Sequence, residues 1–213
     1  MIRLIFPPKC VLCDRILERD QQDLCPGCRQ DAQRYPNKRT HFPHLAKVSG
    51  LWYYKDNVRL SILRYKFWWR ISYAQSYGRL LARLLAEQNA EFDILTWVPV
   101  SLPRLWKRGF DQSRLLAREL GKELGTVPVK TLKKIRHTRA QSLSGDAAHR
   151  RANILNAYRC VRPEEIKGKR ILLVDDILTT GATGSECART LITAGAKQVS
   201  LAVLAVADHT KKQ

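Results

Sequence analysis

Apolar residues fall along this chain in two alternating rhythms. Short branched or aromatic runs recur at 47–54 (KVSGLWYY), 94–100 (ILTWVPV), 127–132, 157–161, 169–175 and 199–207 (VSLAVLAVA). Runs of this length and composition predict strands, several of them buried on both faces. Segments with helical spacing stand between them. Asp56 caps a helix through 64–69, and 77–87 place Leu80, Leu81, Leu84 and Leu85 on one face. Another helix begins near Asp111 and runs to 124, and 185–195 form a last helix stopped at Gly195. Strands alternating with helices predict an α/β fold with a doubly wound, mostly parallel sheet. Residues 103–110 read as a basic loop. Residues 132–153, basic and poor in apolar side chains, read as a mobile, partly helical flap.

The amino-terminal segment follows neither rhythm. It is polar and carries Cys10, Cys13, Cys25 and Cys28 as two C-x-x-C pairs. In a reducing compartment that spacing predicts a tetrahedral Zn²⁺ site, and four thiolates leave no open position, so the metal is structural. Redox dithiols are the competing reading. The segment is too polar to fold by itself, whereas a structural zinc ion supplies roughly 10–16 kcal/mol. His41 and His44 come after a complete ligand set and read as surface residues. Cys160 and Cys187 have no partner spacing and read as packing residues. Residues 35–43 (YPNKRTHFP) form a polar, Pro-bounded linker. The expected division is a zinc module with linker over 1–43 and the sheet domain over 44–213.

Charge narrows the partners. The chain holds 38 Lys and Arg against 19 Asp and Glu, a net +19. Residues 102–170 contribute 18 bases and 6 acids to that excess. Polyanions are favoured: nucleic acid, polyphosphate ligands, or both. A generally basic surface explains the same balance equally well. The run 59–69 (RLSILRYKFWW) mixes bases with Tyr65, Phe67, Trp68 and Trp69. It suits stacking on bases or a helix burying one aromatic face, and the buried arrangement is the commoner one. No apolar run is long enough to span a membrane, and MIRLIFPPKC lacks the core and cleavage site of a signal peptide. A cytoplasmic location is expected.

The candidate chemistry lies in 171–183, ILLVDDILTTGAT. Asp175 and Asp176 are expected at the carboxyl end of a buried strand, followed by Thr179, Thr180 and Gly181, then a helix. In open α/β sheets ligands bind at that edge. Backbone N–H groups at the helix start favour a phosphate, Gly181 permits close approach, and the hydroxyls of Thr179, Thr180 and Thr183 add donors. The two carboxylates can accept from ribose hydroxyls, directly or through hydrated Mg²⁺. Adjacent strand residues face opposite ways, so both acids serve one ligand only if the strand ends between them. The plainer reading has Asp176 or Thr179 capping the helix. Neither G-x-x-x-x-G-K-[ST] nor G-x-G-x-x-G occurs.

This run resembles the signature of type I phosphoribosyltransferases, in which the acids hold the ribose of phosphoribosyl pyrophosphate (PRPP) and the threonine-glycine loop holds its 5′-phosphate. VPVS at 98–101, KRGFDQSRLLA at 107–117, HTRAQSLSGDAAHRRANILNAY at 137–158 and the cysteine module accompany it. Together they resemble the ComF family, over nearly the whole chain. The resemblance implies a type I phosphoribosyltransferase fold with a small amino-terminal zinc module. It implies that Asp175 and Asp176 hold the ribose, and that Thr179, Thr180, Gly181, Ala182 and Thr183 hold the 5′-phosphate. Val100 and Ser101 would lie in the pyrophosphate loop, and Arg108, Arg136, Arg139 and Gln141 would line or cover the site. Asp111 stands where the family has Asn, and Arg64 where it has Lys. The family's role implies PRPP with Mg²⁺, single-stranded DNA entering the cytosol in natural competence, and a helicase-like ATPase partner. Transfer of ribose 5-phosphate to an acceptor is the alternative. No hood that would select a base is expected after the last strand.

Overall fold

Four of the apolar runs pair side by side in the computed structural model, which describes residues 7–38, 41–136 and 154–208. Strands β1 (Lys47–Tyr53), β2 (Ile94–Trp97), β5 (Arg170–Leu178) and β6 (Gln198–Val206) form one parallel sheet in the order β1-β6-β5-β2. Its centre is β5 between β6 and β2, with Leu173 opposite Leu201 on one side and Thr96 on the other. Alternation along β5 serves two cores. Leu172 and Val174 join Ala202, Leu204, Leu81 and Leu116 on one face. Ile171 and Leu173 join Leu201, Val203, Cys187 and Leu191 on the other. Burial on both faces is why these strands are continuously apolar.

Helices cover the two faces. On the first lie α2 (Asp56–Phe67), α3 (Tyr73–Glu87) and α5 (Gln112–Leu124), and on the second α7 (Ala182–Thr193). Short helices α1 (Pro26–Asp31), α4 (Leu102–Arg108) and α6 (Pro163–Ile166) complete the helical set among the described residues. The expected basic loop at 103–110 is largely the helix α4. Pro103 lies in its first turn, and Gly109 ends it at φ 76°. A proline at the start and a left-handed glycine at the end fix a short helix that apolar periodicity does not reveal.

The expected strand at 127–132 also shifts. Val129 donates to the Leu95 carbonyl at 2.8 Å, but regular pairing begins only with β3 (Leu132–Lys134). Pro128 has no N–H to continue a ladder. The partner of β3 is β4 (Tyr158–Cys160), antiparallel, in a separate two-stranded sheet. The greater part of the expected flap, 137–153, lies outside the described residues, and with it Arg139 and Gln141.

The cysteine module shares the first core. Val11 and Leu12 are fully buried in the cluster that holds Val58, Ile62, Tyr65 and Tyr77. The Ser61 hydroxyl donates to the Val11 carbonyl, and Arg64 donates to the Leu12 carbonyl at 2.9 Å. Buried Asp23 accepts from Arg79 at 2.5 and 2.9 Å, and Asp14 from Tyr73 and Arg70, each at 3.0 Å. Arg64 thus fastens the module to α2.

Candidate functional site

The four cysteine sulfurs lie within 4.8 Å of one another, with Cys13 and Cys25 Sγ at 3.8 Å. Zn–S bonds of about 2.3 Å in a tetrahedron separate sulfurs by roughly 3.8 Å, so the set fits that ion. The Cys28 amide beside Cys25 draws its thiol down to about 7, while burial raises Cys10 and Cys28. Backbone N–H groups aimed at sulfur favour the thiolate that a metal requires. His41 and His44 are exposed and stand outside this set.

At the carboxyl edge of the sheet the acids are not where the sequence suggests. β5 continues through both and ends at Leu178, because Ile177 and Leu178 still pair with Ala205 and Val206. The acids therefore obey strand alternation. Asp175 Oδ1 accepts from the Ser113 hydroxyl and the Asp176 amide, each at 2.9 Å. Asp176 Oδ1 pairs with Lys66 Nζ at 2.8 Å, and its Oδ2 is buried without a hydrogen-bond partner. Burial, then the charge of Asp176, pushes Asp175 up to about 7, against the opposing pull of Lys66. Lys66 and the Ser113 hydroxyl are the cation and the donor that these two neighbouring carboxylates hold among the described residues.

The loop after β5 leads into α7. Gly181 is its N-cap at φ 77°, and no side chain caps the helix, so neither Asp176 nor Thr179 does. Thr179 is exposed, Thr180 and Thr183 are half-buried, and Gly181 and Ala182 are buried. A β-carbon on Gly181 would overlap the Phe42 ring, so the segment before β1 rests on this loop. Unpaired N–H groups at the start of a helix suit an anion.

Across the edge, β2 gives way to Val98–Ser101, with the Val98 amide bonded to the Val174 carbonyl at 2.9 Å. Asp111 caps α5 through the Arg114 amide at 3.0 Å and accepts from the Val100 amide at 3.3 Å. Its charge is thus spent on the backbone, which ties the 98–101 loop to α5. Burial still raises its pKa. Ser101 is buried at the start of α4. Arg108 is half-buried with its guanidinium 4.7 Å above the Phe67 ring; burial lowers its pKa, and the charges of Asp176, Asp111 and Asp175 oppose that. Arg136 donates to the Leu155 carbonyl at 2.7 Å.

Lys66, Ser113 and Phe42 are site residues that sequence reasoning missed. Lys66 had one available signal: it follows Ile62 by one helical turn and so continues the buried face of α2. Ser113 and Phe42 had none, because only the tertiary fold brings them to β5 and α7.

Residues 105–213 match the phosphoribosyl transferase domain, and residues 1–39 the double zinc ribbon domain. The chain is similar to the DNA utilization protein YhgH of Salmonella typhimurium, 32% identical over 205 residues, covering 90% of this chain and 87% of that protein. It is also similar to competence protein F of Haemophilus influenzae, 26% identical over 221 residues, covering 92% and 96%. The chain belongs to the ComF family. Its sheet, with helices on both faces, has the type I phosphoribosyltransferase arrangement, and its cysteines form the zinc-binding module of the ComF architecture. Among solved structures, glutamine phosphoribosylpyrophosphate amidotransferase from B. subtilis aligns with 61% of this ComF-family chain and 25% of its own, at TM-score 0.43 and 25% identity. No helix among the described residues is long and apolar enough to cross a membrane.

Proposed function

We propose that this ComF-family protein binds PRPP or a related phosphosugar with Mg²⁺ and assists the entry of single-stranded DNA into the cytosol. The observation that carries the proposal is the buried, unpartnered Oδ2 of Asp176, one strand-end away from the Thr179–Thr183 loop. A ribose hydroxyl or a magnesium-bound water would satisfy that oxygen, and the start of α7 would take the 5′-phosphate. Asp175 and Asp176 are the residues that would hold the metal with the sugar; the ion would neutralise the acids and the pyrophosphate together. Because the acids face opposite ways, Asp176 towards α2 and Asp175 towards the α7 side, one would contact the ligand directly and the other would serve through the ion or its waters. Val100, Ser101, Arg108, Arg136, Arg139 and Gln141 are the proposed pyrophosphate and covering residues. The relatives' names, competence protein F and DNA utilization protein, support a role with DNA. A helicase-like ATPase is the proposed partner, and the cytoplasm the proposed location.

The test is thermal unfolding with PRPP, with and without Mg²⁺. A ligand that binds only the native state stabilises it by about 2.7 kcal/mol at a hundredfold excess over Kd and so raises the midpoint. The shift should require Mg²⁺ and vanish in the Asp175→Ala, Asp176→Ala double variant, which keeps the fold. A shift that survives both substitutions would show that the acids do not hold the ligand. The transferase reading is favoured by the presence of acids and phosphate loop together. It requires pyrophosphate release from PRPP, which an effector site does not produce.

A further inference from the structure

Residues 64–72 and 102–110 hold six cations and no acid, together with Phe67, Trp68, Trp69, Trp106 and Phe110. Only Tyr65 of the aromatic run is fully buried, under the Gln112 carbonyl, so the buried reading of this stretch holds for that residue alone. Trp68 is 67% exposed, Trp69 65% and Trp106 86%. Three indoles left in water within two short segments are unusual, because each sacrifices a large apolar burial.

The two segments meet at Phe67, Trp69 and residues 108–110, with exposed Trp68 and Trp106 flanking that meeting point in sequence. The Arg108 guanidinium lies over Phe67, the Trp69 and Phe110 rings are 6.0 Å apart, and left-handed Gly109 leaves room for the edge of Trp69. Lys66, which pairs with Asp176, immediately precedes Phe67. The ledge therefore runs up to the acid edge of the sheet.

We propose that Trp68, Trp69 and Trp106, with Arg104 and Lys107, form a platform for single-stranded DNA. Bases stack on the indoles and phosphates lie against the cations. A polyanion with flat apolar faces is the partner that uses both features at once, and stacking requires bases free of a duplex. The choice of DNA rests on the strand-handling role proposed above; the stacking surface itself does not.

The test is titration of a fluorescent oligothymidylate into the full chain at two salt concentrations. Comparison is with Trp68→Ala, Trp106→Ala and with Arg104→Ala, Lys107→Ala. Binding should quench tryptophan emission. The tryptophan pair should weaken affinity roughly tenfold or more with the salt slope unchanged. The basic pair should lower the slope by roughly 0.7 for each phosphate no longer neutralised. Trp106→Ala alone, at the most exposed position, repeats the test should the double variant melt early. Wild-type affinity in the tryptophan variants, or equal binding of duplex, overturns the platform. Displacement of the oligonucleotide by polyglutamate with the same quenching overturns it in favour of an acidic protein partner. Absence of any strand binding removes the strand-handling role as well, whereas binding indifferent to the tryptophans removes only the ledge.

Discussion

Asp175 is held up to about 7 against an ordinary value of 3.8, mainly by burial and then by the charge of Asp176. A raised carboxyl binds its proton more tightly folded than unfolded, so the native state carries more protons between about pH 4 and pH 7. This residue's contribution to stability is present below that window and is lost as the pH rises through it. Asp175→Asn keeps an acceptor for Ser113 and the Asp176 amide but removes the titration. Its melting temperature relative to wild type should therefore climb from pH 4 to pH 7 and level off above, in protein free of divalent cations. A flat difference would place the perturbed group elsewhere. At this scale the sequence was legible for identity and not for direction. The Asp-Asp-loop-threonine order marks the candidate site, but Ile177 and Leu178 are needed to see that β5 outlasts both acids. Lys66 was hidden because its partner is distant in the chain. Asp111, which stands where the family has Asn, is the N-cap of the helix expected to begin there.

Among the elements, the amino-terminal module has the clearest energetic consequence. Its cysteines sit directly beside Val11, Leu12 and Leu24, which belong to the same core as α2 and α3. Asp23, fully buried, is compensated from α3 by Arg79, with Arg83 at 3.8 Å. Removing Arg79 while the module stays docked would leave that charge buried and unpaired, a loss of about 3–5 kcal/mol. Cys25→Ser should abolish retention of one Zn²⁺ per chain and lower the melting temperature of the whole chain in a single transition. Metal analysis and calorimetry check both halves. Native protein without zinc, or a variant whose second transition stays at the wild-type temperature, would contradict the shared core. The helices with strong apolar faces and the buried strands were legible because their periodicity is their packing. α4 was not, since a short helix set by Pro103 and Gly109 buries no periodic stripe. The antiparallel pair β3 and β4 was not, since three-residue strands carry too little pattern to show which sheet they join.

At the scale of the whole molecule, the sheet brings its chemistry to one edge, where β5 delivers two acids beside Lys66 and Arg108 in a chain of net charge +19. Fold class and family were legible because motif order survives in the sequence. The ledge was not, because the sequence leaves a tryptophan's burial undecided until its neighbours are placed. The central claim is that this edge holds a magnesium-bound phosphosugar at the acids and the start of α7. Calorimetric titration of PRPP into the full, zinc-loaded chain tests it most directly, with Gly181→Ala as the paired variant. An added Cβ at φ 77° costs about 1–2 kcal/mol in backbone strain and collides with Phe42, displacing the loop. The expected result is one PRPP per chain in the presence of Mg²⁺, loss of that binding without the ion, and at least tenfold weaker binding in the variant. No binding heat from wild type across a range of temperatures, or equal affinity in Gly181→Ala, would contradict it.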